Sequence, residues 1–434
     1  MDSALLARKR NNAYWLLVIS GFVLYVIMTS SKNLYVAEKT TLYTLGSFGN
    51  LTDLAATMEY YFYTYSIAQV LIAFVMKRLN LKWFVSLCVG ASAVITALMA
   101  FTGNIAEHYV LYTINGFFQA CLWGCQIKIF SMYLPKRLLP TANQLLTSGP
   151  AIAGAMSYGV AAAFGESWRV PFFVMGAVLF ASVLVYFFAI TNAARFPIED
   201  ETYHVVYADG SEADVSDEDK NDFIHLNNRK RVVWFYVASV VMGALVTSIY
   251  FAINNNLDIF LKEIGGLSND GAKLLTILAP LVAAIGPIVV VRLCERYNNF
   301  IAVCGTCFAI AMIVLGVLLF VFEVNVILSL VLMIVFLTIV NGGRSISLSI
   351  AALRMRKKID SGIYSTLVNV ASSLASGLAP KMIAVILDDQ MLSVEESWRN
   401  SLWLVFIVGV VTVFILFSFF FGIKRLNKKD GISQ

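Results

Sequence analysis

The sequence predicts an all-α polytopic membrane protein, with twelve transmembrane helices in two six-helix halves. Three observations lead there. Of the 434 residues, 59% are apolar and only 14% charged, against about 45–50% and about 25% in soluble domains. The apolar residues gather into twelve runs near the roughly 20-residue length that crosses a bilayer as a helix. The chain also repeats itself across one long polar stretch, with six runs on either side. This composition excludes a soluble enzyme with a large polar surface, a disulfide scaffold and a disordered chain.

Taken in order, the first six runs fall at 13–36, 54–76, 83–103, 108–134, 141–164 and 169–193. The first follows Arg8-Lys9-Arg10 and lacks a small-residue cleavage site, so it reads as a retained span rather than a removed signal. The second holds Glu59 with Tyr60, Tyr61, Tyr63 and Tyr65, and the fourth holds Asn115, Gln119, Gln126 and Lys128. The second six fall at 232–256, 270–292, 299–322, 325–351, 361–387 and 400–423. Asn254-Asn255-Asn256 interrupts the seventh near one end and predicts an unwound turn that presents backbone groups. All six cysteines lie in or beside spans; the Cys304-Gly-Thr-Cys307 spacing inside an apolar run reads as packing. His108, His204 and His225 assemble no metal site.

These runs define an N-terminal bundle at 1–194, an acidic cytoplasmic linker at 195–231 and a C-terminal bundle at 232–434. Within the linker, His204-Val-Val-Tyr207 followed by Asp209-Gly210 predicts a small hairpin. The repeat rests on three ordered matches. Arg8-Lys9-Arg10 returns as Arg229-Lys230-Arg231, Asn115-Gly116 as Asn341-Gly342, and Glu166-Ser-Trp-Arg169 as Glu396-Ser-Trp-Arg399.

Basic residues set the orientation. With the termini on one side, 23 of the 32 Lys and Arg fall there, and only Lys39, Arg169, Lys262, Lys273 and Arg399 fall opposite. Basic loops stay cytoplasmic, which places both termini inside and predicts a multi-pass protein of the plasma membrane, or of the cytoplasmic membrane in a bacterium. The net charge of +5 is then a topology signal rather than a nucleic-acid footprint.

Four cations remain inside spans, Lys32, Lys128, Arg344 and Lys381, against one clear acid, Glu59. Each costs about 2.5–3.5 kcal/mol on insertion scales at mid-membrane, and one carboxylate cannot neutralise four. An anionic substrate gripped from both halves supplies the missing charge. The competing reading is snorkelling, open to all four and least to Arg344, with Glu59 simply paired to a lysine. Asn33, Asn115, Gln119 and Asn255 add hydrogen-bonding capacity, and Tyr61 and Tyr65 share a helix face; an interfacial aromatic belt is the alternative for the tyrosines. Glu59 is the candidate proton carrier.

Two six-helix halves with both termini inside resemble the major facilitator superfamily, and this likeness spans the chain. Asn115-Gly-Phe-Phe-Gln119 with Trp123 and Lys128, and Lys32-Asn33, resemble its organophosphate–phosphate antiporter branch. Arg78, Asn80, Lys82 and Phe84 match the pattern after the second helix, and Glu295-Arg296 stands in the second-half loop motif. The resemblance implies a substrate site between the halves and Arg78, Glu295 and Arg296 as gating residues. The branch's phosphate-gripping arginine falls at Ser31, its fourth-helix histidine at Met132, and no arginine stands in the seventh span. A carboxylate or a differently held phosphoester follows.

The expected function is secondary active transport of a small organic anion by alternating access, through exchange or proton coupling. The partners are the lipid bilayer, the anion, and a proton or counter-anion; no cofactor, metal or nucleic acid enters, and the chain reads as a monomer. A proton-coupled drug or metabolite exporter is the alternative, since Gly149-Pro150 and Gly154 resemble the antiporter motif of that group. A transporter-like sensor without flux is another. A membrane enzyme lacks a nucleophile–base pair.

Overall fold

The computed structural model describes residues 3–196, 205–206, 212–213, 229–297, 300–346 and 361–429. It is an all-α polytopic bundle of twelve spans. Helix α1 (Ser3–Leu45) is followed by α2 (Leu51–Val75), α3 (Leu81–Met99), α4 (Ile105–Gln119), α5 (Cys121–Tyr133), α6 (Leu139–Ala163) and α7 (Arg169–Ala193). Helices α4 and α5 form the fourth span, parted only at Ala120. In the second half, α8 (Arg229–Asn254) and α9 (Leu257–Glu263) make the seventh span. The eighth is divided into α10 (Asn269–Thr276), α11 (Leu278–Ala283) and α12 (Ile285–Tyr297). Then come α13 (Phe300–Val321), α14 (Val326–Ser345), α15 (Ser361–Leu387) and α16 (Val394–Lys429).

Among the described residues, nine segments are long and apolar enough to cross a membrane. The second, fourth and fifth spans are not among them; they carry the buried polar residues Glu59, Asn115, Gln119 and Ser157. Two hydrophobic cores form, one around α1–α7 and one around α8–α16. The halves meet where α2 packs on α15, where α6 packs on α10 and α11, and where the end of α1 reaches α9 and α10.

The first span departs from expectation. Its apolar run ends near 36, but the helix continues to Leu45 and stops only at Gly46, whose φ of +68° suits glycine. Asn50 then caps α2, its side chain accepting from the Asp53 N–H in a capping box. Lys39 is therefore helical and fully buried, not an outer-loop cation, and Lys273 is likewise buried in α10. The seventh span behaves as predicted: it breaks at Asn255-Asn256.

The repeat is visible in the packing. A Cβ on Gly116 would stand 2.3 Å from the Tyr61 carbonyl oxygen, so the fourth span crosses the second backbone to backbone. In the second half a Cβ on Gly342 would stand 2.6 Å from Val290 and 2.9 Å from the Gly286 carbonyl oxygen, the same crossing between tenth and eighth. The Trp-Arg pairs match as well: Arg169 donates to the Thr102 carbonyl after α3, and Arg399 pairs with Glu323 after α13. Of the linker, Val205–Val206 pairs antiparallel with Glu212–Ala213, the hairpin expected. Most of its remaining residues, with His204 and His225, lie outside the described residues, as does the predicted tenth span beyond 346.

Candidate functional site

The end of the bundle that carries the close of α1 and the start of α2 is called the distal end. Helix α1 carries Lys32 and α14 carries Arg344. The Lys32 ammonium stands over Phe62 and Tyr65, 5.7 and 5.9 Å from the ring centroids. The Arg344 guanidinium stands over Tyr250 and Phe251 at 5.3 and 5.2 Å. Each cation is thus held by ring faces of its own half. The Lys32 ammonium and the Tyr25 hydroxyl both lie within electrostatic reach of Arg344. Arg344 donates weakly to Asn341 Oδ1 at 3.4 Å, while its buried Nε has no hydrogen-bond partner among the described residues. Among the described residues, neither cation has a carboxylate at ion-pair distance.

The amides that sequence reasoning grouped with these cations serve a different purpose. The Tyr61 hydroxyl donates to Gln119 Oε1 at 2.7 Å, and Gln119 Nε2 donates to Ser31 Oγ and Ser92 Oγ at 3.1 and 3.0 Å. Ser92 Oγ donates to Asn115 Oδ1 at 2.6 Å, and Asn115 Nδ2 to Thr96 Oγ1 at 3.2 Å. This closed network ties α1, α2, α3 and α4 together inside the N-terminal half. Tyr112 adds a bond from its hydroxyl to the Lys32 carbonyl, 2.6 Å, which fixes the backbone below the lysine. Asn33 and Tyr65 are half-buried beside it.

Glu59 and Lys381 come together across the halves. Lys381 Nζ stands 2.5 Å from Glu59 Oε2, and the Tyr63 hydroxyl donates to Glu59 Oε1 at 2.5 Å. Gly377, one turn before Lys381, permits the approach: a Cβ there would stand 2.9 Å from the Glu59 Cα. Lys381 therefore already has its counter-charge.

Distally, the halves are clasped by residues that sequence reasoning left in loops. Lys273 pairs with Glu38 at 2.8 Å, both side chains wholly buried. Lys39 donates to the Asn255 carbonyl at 2.6 Å and to Asn256 Oδ1 at 2.7 Å, so the broken seventh span holds a lysine of the first. Thr40 donates to Asp258, Asn269 to Thr41 Oγ1 at 3.0 Å, and Lys262 to Thr44 at 2.5 Å. Asp388 accepts from Leu51 N at 3.2 Å and from Thr52 N and Oγ1 at 2.6 Å each, so a C-terminal-half carboxylate caps α2. The account of one intramembrane acid against four cations is corrected accordingly: Glu38 and Asp258 are buried acids and Lys39 and Lys273 buried cations. The missed signal was the lack of Gly or Pro between 36 and 45, which lets α1 run on.

Lys128 stands exposed on α5, and Arg78 and Arg296 are exposed beyond α2 and within α12. The side chain of Glu295 lies outside the described residues. Among the described residues, no three His, Cys, Asp or Glu gather as a metal-binding group.

The sequence matches the family described as Major Facilitator Superfamily over residues 13–380. No curated protein matches it. Among solved structures, a bacterial homologue of the human lysosomal transporter Spinster, inward-facing and occupied, is 14% identical. That likeness covers 95% of this chain and 97% of that one, with a TM-score of 0.71. A D-xylose–proton symporter is 14% identical over 93% of this chain and 97% of its own, TM-score 0.68. The nucleoside transporter NupG is 15% identical over 94% and 99%, TM-score 0.63. At these identities the likeness is one of fold.

Proposed function

The chain belongs to the major facilitator superfamily and is a secondary transporter of the alternating-access type; from that premise we propose that its substrate is a small organic anion held between Lys32 and Arg344. The observation that carries this reading is the pair itself. Each half supplies one cation set over ring faces, with no carboxylate at ion-pair distance among the described residues, while Lys381, Lys39 and Lys273 have partners. A buried arginine Nε without an acceptor is a donor waiting for one. An anion between the cations relieves their repulsion and ties the halves through its own charge, so that binding couples to their movement.

The basic-residue asymmetry makes the distal end the outside, so this conformation is closed outward. The Glu59–Lys381 pair lies on the interface that must slide between states, which makes Glu59 the group through which a proton enters the cycle. Lys128, exposed on α5, belongs in this reading to the inner approach rather than to the grip. Asn33 and Tyr65 complete the N-terminal side of the site, and Asn115, Gln119 and Tyr61 hold its shape. Of the solved relatives, the nucleoside transporter and the D-xylose symporter are named for uncharged substrates. Two facing cations favour an anion over either class, and over a cationic drug.

The test is counterflow in proteoliposomes with phosphoesters, mono- and dicarboxylates, acidic sugars, nucleosides and pentoses. Exchange of one anion class, lost in Arg344→Ala, is the expected result. Exchange of a nucleoside or pentose, insensitive to Arg344→Ala, would sink the anion reading.

A further inference from the structure

The central cations sit over ring faces, and that combination narrows the ligand. We infer that the transported anion is an arylcarboxylate, or an anion of like build: one charged end and a flat aromatic body. This rests on the anion reading and deepens it.

Four rings lie under the cations: Phe62 and Tyr65 beneath Lys32, Tyr250 and Phe251 beneath Arg344. Two more extend the wall. Tyr25 lies in the field of Arg344, and Trp123 packs on it with ring centroids 5.3 Å apart and planes tilted by 47°. Tyr25, Tyr65, Trp123 and Phe251 are only partly buried, which leaves ring surface for a ligand to cover. Aromatic faces attract a flat ring in offset or edge-on packing, and the cations above them fix where the carboxylate must stand.

Gln119, Asn115, Ser92 and the Tyr61 hydroxyl satisfy one another, as described above. A polyol brings no charge to set between the cations, which penalises sugars and nucleosides. A small hydrophilic anion would meet the charges but leave the ring faces idle. An aromatic carboxylate uses both: its oxygens take the free Arg344 Nε–H and the Lys32 ammonium, and its ring covers the wall.

Titration calorimetry on the purified full chain in detergent tests this with benzoate, cyclohexanecarboxylate, acetate, glycerol 3-phosphate, benzamide and uridine. Benzoate is expected to bind roughly tenfold more tightly than acetate, the gain of a well-packed aromatic contact, and more tightly than cyclohexanecarboxylate. Benzamide, flat but uncharged, is expected not to bind. Tyr65→Leu and Phe251→Leu should erase the preference for benzoate over acetate, with a melting temperature close to that of the wild type showing that the variants remain folded. Acetate or glycerol 3-phosphate binding as well as benzoate overturns the aromatic inference and leaves the anion reading standing. Uridine or benzamide binding where benzoate does not overturns both. No benzoate binding at all also overturns the inference.

Discussion

Lys273 and Glu38 show how much a single residue's setting decides. On the surface such a pair contributes about 0–1 kcal/mol; wholly buried, each charge depends on the other. Removing one partner of a buried pair costs about 3–5 kcal/mol, because the survivor stays desolvated and alone. Lys273→Met is therefore expected to lower the melting temperature of the detergent-solubilised protein clearly, and Glu38→Gln/Lys273→Met to recover most of the loss. A double variant as unstable as the single one would show that the pair does not stand or fall as a unit. In the sequence Lys273 and Lys39 are indistinguishable from outer-loop cations, since their partners lie 235 and more than 200 residues away. Glu59 and Lys381 differ: both fall inside apolar runs, so a buried counter-charge was already an open reading.

At the scale of the element, α1 and α2 divide what was legible from what was not. Hydropathy ends the first span at Val36, where Ala-Glu-Lys-Thr-Thr begins, because hydropathy scores what a residue would meet in lipid. Those side chains meet the C-terminal half instead, and only the helix-stopping Gly46 marks the true end. The glycines of Asn115-Gly116 and Asn341-Gly342 were legible as a repeat, and the structure supplies their reason: backbone crossings within each half. Asn255-Asn256 was legible as a break, but its tenant, the Lys39 ammonium, was not. The start of α2 is capped by Asp388 from the other half, so the two elements must part when the distal end opens. In a protein freed of its six cysteines, Thr52→Cys/Asp388→Cys is expected to form a disulfide on oxidation. That disulfide should stop counterflow, and reductant should restore it. Undiminished counterflow in the cross-linked protein would mean that the halves do not separate there.

For the whole molecule, the twelve spans, the two halves and the distribution of basic residues follow from composition and patterning, because the bilayer imposes span length and polarity on every such chain. The centre of the site does not follow in the same way. Sequence offers four inward cations and a set of amides as equals; the fold pairs Lys381, leaves Lys128 exposed, binds Asn115 and Gln119 into a closed network, and sets Lys32 and Arg344 over ring faces. The rings beneath the cations, Phe62, Tyr250 and Phe251, look in the sequence like any other aromatic residues of a span.

The central claim is that one anion is gripped at once by Lys32 and Arg344. Counterflow of the transported anion by wild type, Lys32→Gln, Arg344→Gln and the double variant tests it most directly. If both cations hold the same anion, each single variant loses at least about tenfold in exchange, the scale of one charge-assisted hydrogen bond. The double variant is then little worse than the poorer single, because groups acting as a unit are not additive. Losses that multiply in the double variant, or exchange that survives in either single, would contradict the account.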